Sequence, residues 1–488
     1  MKKIFIYTLT TALVWSVAGC QKLSDFGNTN YNQAAISTPI IGALLTNAEL
    51  SVANYAGSQL EAINGGQYSQ YFAETQYPAV SLYALPQYNF TGEYSTQLYD
   101  LQSIINAGTS KNTSNVALIL QQYIFWHITD SWGDVPYSQA LKGLAYPQPA
   151  YDAQQNIYKG MLSALTSAVS SFDGSAISGD IFYNGNVASW KKMANTLRML
   201  ISLQLSKKMP TSTDYAATQF NAALNDVGGS IVTNADNMKV VYPGGTYKDP
   251  FFSLYDGRTD YAESKTMTDL LSSLNDTRAT IYGGAFNDPN NVTGGTISSN
   301  VGIPPGGDRT STVAFTTANP SFALVLRADQ RTPTSPLFVL TAGESLLARA
   351  HAAAIGWTTE SAATLYASGV TQAFAQWGLT VPTSYISSAP VFADIIKQRY
   401  LASYPDGFMG WDIYRLTSTT RDGTAGSGSA FTQNPLNLKP GTGGAGKPIV
   451  SRFTYSASEY TTNTASVNAA IALISGGDKQ DSRVWWDQ

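Results

Sequence analysis

The chain has 488 residues, one cysteine, two histidines and a formal net charge of −4. Charged residues make up 13%, against ~25% in a typical soluble protein, so Ser, Thr, Asn, Gln and Tyr must supply most of the polar surface. Nothing in this balance suggests nucleic acid, a lone cysteine excludes an intrachain disulfide, and 29 Tyr, 19 Phe and 9 Trp suit uncharged ligands such as sugars, or a large protein interface.

Met1-Lys2-Lys3 is a short basic stretch, and the apolar run Ile4 to Val17 comes directly after it. That run is too short to span a hydrocarbon core, which takes ~20 helical residues, and fits the hydrophobic region of a signal peptide. Val17-Ala18-Gly19-Cys20 closes it with small residues and a thiol. It resembles the lipobox of bacterial lipoproteins, where a sulfur nucleophile forms the thioether to diacylglycerol. The plain alternative is an ordinary cysteine beside a signal peptide cut elsewhere. The expected organisation is a signal peptide over 1–19, lipidated Cys20 with a polar tether over 20–36, and one domain over 37–488. Two or three acyl chains on Cys20 would anchor the protein durably in lipid.

Beyond the tether the periodicity is mostly helical. It predicts helix pairs over 39–55 and 59–74, over 94–106 and 114–130, over 152–172 and 186–208, and over 341–357 and 361–378. In 186–208, Trp190, Met193, Ala194, Leu197, Ile201 and Leu205 form one stripe and Pro210 ends it. In 341–378, small and large apolar residues alternate as in tetratricopeptide (TPR)-like hairpins. Short strands are expected near 237–242 and 448–455. The Gly/Asn/Pro/Thr-rich stretches 229–262, 282–320 and 417–450 are long for connections inside a domain and read as functional loops. The fold class is therefore mainly α: a single large domain with TPR-like hairpins near 39–74, 94–130, 152–208 and 341–378, and a loop-rich side.

Catalytic chemistry is hard to place. His127 and His351 sit mid-helix among apolar residues without metal-ligand spacing. No G-x-S-x-G elbow occurs. Gly441 to Pro448 matches G-x-G-x-x-G, but Pro448 replaces the hydroxyl a P-loop needs and an alternating, strand-like stretch comes after it. A glycosidase needs only two carboxylates ~5–9.5 Å apart, which 33 acidic residues do not rule out. Asn28, Asn30 and Asn32, and Asp288 to Asn291, offer oxygens for a structural calcium, yet neither makes a full EF-hand loop. No other cofactor is expected.

Five segments together resemble the SusD/RagB family of outer-membrane lipoproteins from Bacteroidetes: Asp130 to Leu141 (DSWGDVPYSQAL), Trp190 to Arg198, the hairpin from Glu344 through Tyr366 to Trp377, Gln398 to Arg415 (QRYLASYPDGFMGWDIYR), and Arg483-Val-Trp-Trp-Asp487. They lie in the family's order across nearly the whole mature chain. Arg349-Ala350-His351 departs from a more usual Lys-Ala-Glu-like run, at a position expected to face helix packing. The resemblance implies no catalysis. It implies a lid on a SusC-like TonB-dependent transporter, holding oligosaccharide or peptide at the outer membrane and facing the cell exterior. The shared motifs themselves read as structural: Gly133, Asp134 and Pro136 shape a turn, and Trp411, Asp412 and Arg415 make a buried aromatic and ion-pair cluster.

A sugar site wants exposed rings on loops with polar neighbours. Segment 66–94 carries six tyrosines and two phenylalanines, and 76–90 holds two prolines and no helical stripe. Tyr77, Tyr83 and Tyr88 are therefore candidate exposed rings, with Gln76, Gln87 and Asn89 beside them. The family's use of the loop after the second helix favours the same stretch. A second candidate is 282–291, through Tyr282, Asn287 and Asp288.

Overall fold

The computed structural model describes residues 40–84, 87–424, 426, 430–431, 433–441 and 447–488. The expected signal peptide, Cys20, the expected tether, the Asn28/Asn30/Asn32 cluster and most of the Gly441–Pro448 loop lie outside the described residues. Ile41–Gln488 forms one compact, mainly helical unit.

Several helices begin where a side chain accepts a free first-turn amide. The Ser110 hydroxyl accepts from Thr113 N at 3.2 Å at the head of Lys111–Trp132, and Asn186 accepts from Ser189 N at 3.2 Å at the head of Val187–Gln204. Thr341 and Glu344 form a capping box that opens Ala342–Ala354. Successive helices then pack side by side: Gln97–Ala107 on Lys111–Trp132, that helix on Gln154–Ser171, then Val187–Gln204 and Tyr215–Leu224. Ala342–Ala354 packs on Ala362–Ala375 and on Phe392–Ala402. Leu60–Tyr68 crosses Gly407–Thr417 almost backbone to backbone. A Cβ on Gly65 would sit 2.7 Å from the Gly407 carbonyl, and one on Gly407 only 2.0 Å from that of Ala62, so neither glycine tolerates a side chain.

The expected helix pairs form with shifted ends, most of them shorter, though 114–130 lengthens to Lys111–Trp132. Helix 59–74 stops at Tyr68, Gln70 turns the chain at φ +61°, and Phe72–Glu74 becomes strand β1. Helix 94–106 is interrupted at Thr96. β2 (Val135–Pro136) and β3 (Tyr151–Asp152) pair antiparallel. β4 (Met238–Val241) fulfils the strand expected near 237–242, pairing antiparallel with Pro336–Leu340. The strand expected over 448–455 does not form a ladder. Its amides reach single carbonyls instead, Ile449 that of Arg421, Ser451 that of Gln480 and Phe453 that of Ser131, and among the described residues it makes a single parallel bridge, Thr454 with Gln87.

The long loops carry short structure of their own. β5 (Tyr261–Glu263) pairs antiparallel with β1, and β6 (Gly283–Ala285) with β7 (Ala323–Val325), while β5 lies against β7. Pro336–Leu340 is β8.

Candidate ligand-binding surface

The segment after β1 is folded by a carboxylate. Glu74 Oε2 accepts from Ser81 N at 3.1 Å and Ser81 Oγ at 2.9 Å, closing the loop between them. Burial pushes the Glu74 carboxyl up to about 7, against the pull of the Ser81 bonds. Near the tip of this loop Tyr77 stands 64% exposed, with Gln76 exposed beside it.

Two guanidiniums flank the loop. The Arg258 guanidinium lies 5.7 Å from the centre of the Tyr77 ring and pairs with Asp260 at 2.5 Å. Arg309, at the first turn of helix Arg309–Ala318, donates from Nη1 to the Thr75 carbonyl at 2.6 Å and has no carboxylate partner among the described residues. Thr75 N in turn bonds the Asp260 carbonyl at 2.8 Å, tying the tyrosine loop to the chain leading into β5. The result is a solvent-facing ring with the Arg258–Asp260 pair beside it and Arg309 bonded to the backbone two residues before it. Sequence reasoning reached Tyr77 but missed both arginines. A signal was present for Arg309, the one cation of the charge-poor stretch 282–320, but not for Arg258, which stands between Asp256 and Asp260 in a stretch with several charges.

The other predicted rings go elsewhere. Tyr83 has φ +55° and its ring is buried against Tyr68 at 6.1 Å, so the expectation of an exposed ring fails there. Tyr88 is half-buried, edge-on to Phe453 at 4.7 Å. Asn89 is exposed, but its Oδ1 accepts from Thr91 N at 2.8 Å and Thr91 Oγ1 at 2.7 Å, which fixes the start of the next helix. Tyr282 is fully buried. Its hydroxyl donates to the Leu401 carbonyl at 2.7 Å and its ring packs on Tyr404 at 4.5 Å, which removes it from any surface. The Asp288 carboxylate is also buried, accepting from Asn290 N and Ile297 N at 2.9 Å each, so it staples its own loop and its oxygens are already engaged. Asn287 is exposed. Beside it Phe286, which sequence reasoning passed over, is 37% exposed and stacked on Phe322 at 4.5 Å and 14°.

Both histidines are packing residues. His127 stacks on Phe408 at 3.7 Å, and burial lowers its pKa. His351 Nδ1 accepts from Arg399 Nη1 at 2.7 Å, and burial followed by the Arg399 charge lowers its pKa as well. Among the described residues no group of three His, Cys, Asp or Glu is placed to hold a metal ion, and no helix is long and apolar enough to cross a membrane.

The motif residues meet in one buried cluster. The Arg415 guanidinium lies 3.7 Å from the Trp411 ring centre and 4.9 Å from that of Trp486, pairs with Asp412, and donates to the Asp130 carbonyl at 2.7 Å. Trp486 Nε1 donates to Asp130 Oδ1 at 3.1 Å. Gly133 takes φ +95°, and Asp134 Oδ1 accepts from Gln154 N at 2.8 Å. Three of the five motif segments are thus one interlocking core.

A family model described as "Starch-binding associating with outer membrane" (SusD-like) matches residues 32–421, and one described as "Susd and RagB outer membrane lipoprotein" matches residues 389–487. The chain belongs to the SusD/RagB family. Both descriptions place this family at the outer membrane. The SusD-like fold is shared with solved structures at low identity. A chitin-binding SusD homolog from Flavobacterium johnsoniae matches at TM-score 0.73 and 22% identity, over 92% of this chain and 98% of that one. A SusD homolog from Bacteroides fragilis matches at TM-score 0.74 and 20% identity, over 92% and 100%. One from Bacteroides uniformis matches at TM-score 0.72 and 23% identity, over 92% and 99%. No curated protein matches in sequence.

Proposed function

We propose that this SusD-family protein is a non-catalytic lipoprotein that captures oligosaccharide at the cell surface and delivers it, as a lid, to a SusC-like TonB-dependent transporter. The observation that carries the reading is Tyr77: a ring held in solvent by the Glu74–Ser81 closure, with polar side chains at its edge. Such a ring offers its face to the C–H face of a sugar, while the flanking groups bond hydroxyls. Phe286 and Asn287 extend the same chemistry on the neighbouring β6–β7 loop. In this reading residues 1–19 are cleaved, Cys20 is acylated and holds the domain on the outer leaflet, and the tether lets the lid swing without leaving its transporter.

Two measurements test this. Titration calorimetry with a panel of oligosaccharides is expected to give binding without turnover, and Tyr77→Ala to weaken it about tenfold, one ring contact's worth. Solubilisation of native membranes in mild detergent is expected to bring a large barrel protein down with the lipoprotein. Hydrolysis of a bound glycan, or a protein always recovered alone, would sink the respective half of the proposal. A peptide ligand is the second reading, favoured by Arg309, whose guanidinium lacks a carboxylate partner among the described residues and could take a peptide C-terminus. The same calorimetry with peptides in place of glycans separates the two.

A further inference from the structure

A second groove, containing neither Tyr77 nor its arginines, lies at the far end of the same aromatic segment. It runs between the start of helix Gln97–Ala107, the loop 139–149 and helix Ala457–Thr462, and offers a cavity of about 380 Å³ open to solvent. That is the size range of small-molecule sites. Its walls are fixed from both sides. Gln148 Nε2 donates to the Thr462 carbonyl at 2.9 Å, and Asn463 Nδ2 to that of Pro149 at 2.7 Å, so the loop is tied to the helix. Gln139 Oε1 accepts from Ala150 N at 2.8 Å and closes the loop on itself.

The lining is mixed in a particular way. Tyr99 and Tyr146 are 60% and 41% exposed and present ring surface to the groove. Among them sits Glu459, a carboxylate only 5% exposed. One of its oxygens accepts from the Tyr151 hydroxyl, and the other has no hydrogen-bond partner among the described residues. An apolar protein or lipid face laid over that oxygen would leave it buried and unpaired, which costs free energy. An anionic ligand would meet it charge to charge, with Lys142, whose ammonium lies 5.6 Å from the Tyr146 ring centre, as the groove's one opposing cation among its lining residues. A neutral sugar satisfies both features, with C–H faces on the tyrosines and a hydroxyl donating to Glu459.

We propose that the groove formed by Tyr99, Tyr146, Gln139 and Glu459 is a second oligosaccharide-binding subsite, separate from the Tyr77 surface. It rests on the glycan-binding reading of the protein, and it gives the lid two points of hold on one extended chain. Two linked contacts raise the overall affinity for a long glycan above that of either contact alone.

The test is affinity electrophoresis in native gels cast with glycol chitin, soluble starch or xylan. Tyr99→Ala/Tyr146→Ala, Glu459→Gln and Tyr77→Ala are run beside the wild type, after thermal melts have checked that all are folded. On the polysaccharide that retards the wild type, the paired tyrosine variant and Glu459→Gln are each expected to bind about tenfold more weakly, and combination with Tyr77→Ala to abolish retardation. Wild-type retardation of the groove variants with loss in Tyr77→Ala overturns the second subsite and leaves the function standing. So does unchanged retardation with loss of the co-purifying barrel, which would make the groove a protein contact. A wild type that runs freely in every gel overturns both.

Discussion

Tyr77 and Tyr282 are the same residue type at the ends of loops read as ligand-facing, yet one faces solvent and the other is sealed against Tyr404 and Leu401. Composition located the aromatic stretch, but each ring's direction depends on the backbone around it. At Tyr83 a left-handed backbone conformation turns the ring inward, and at Tyr282 the short strand β6 begins at the very next residue. Neither is written in the residue spacing. The two rings should therefore answer mutation in opposite ways. Tyr282→Phe strands the Leu401 carbonyl in the core and should cost about 1 kcal/mol in chemical denaturation with glycan affinity unchanged. Tyr77→Ala should leave the denaturation midpoint in place and weaken binding. Equal effects on both properties in either variant would show that the assignment by burial is wrong.

At the level of elements, the helices were legible and the joints were not. Stripes such as Trp190 to Ile201 announce helices because their apolar face must be buried, and all of these residues are buried. The segment 448–455 alternates like a strand and gains only one bridge, Thr454 with Gln87, among the described residues, because pairing depends on a partner that no local pattern reveals. The C-terminal motif shows the same limit. Its sequence advertised a family, and only the fold shows that the Asp487 carboxylate receives Lys207 at 2.6 Å and Arg421 at 2.7 Å, with both cations buried. Burial pushes Asp487 up, but Arg421, Lys207 and Arg483 together hold it below its usual range. Asp487→Ala would leave two buried cations unpaired and is expected to cost about 3–5 kcal/mol. Urea denaturation measures this, and a loss under about 1 kcal/mol would place the end of the chain outside the cooperative core.

For the whole molecule, the unusual feature is a set of buried carboxyl groups that form no salt bridge among the described residues. Burial pushes Glu74, Asp249 and Glu344 up to about 7 each. Burial, then the neighbouring Glu93, also pushes Glu61 up, and neither Glu61 oxygen has a hydrogen-bond partner. An acid whose pKa is raised on folding contributes stability that is complete below its unfolded pKa and is lost as pH rises through the folded value. His127 and His351 act in the other direction, because their lowered pKa values withdraw stability as pH falls below about 6.5, the unfolded histidine value. Between about pH 6.5 and 8 the carboxylates dominate, with Lys207, lowered to about 8 by burial, opposing them only near the upper end, so stability should fall across that interval. Thermal melts at matched ionic strength are expected to show a melting temperature several degrees lower at about pH 8 than at about pH 6.5. Glu61→Gln, which removes one buried charge without changing the side chain's shape, should flatten that slope. A melting temperature that rises from about pH 6.5 to about pH 8 would mean that these carboxylates gain partners or water in solution. The Glu74 loop closure beneath Tyr77 would then have to be held by something other than a buried acid.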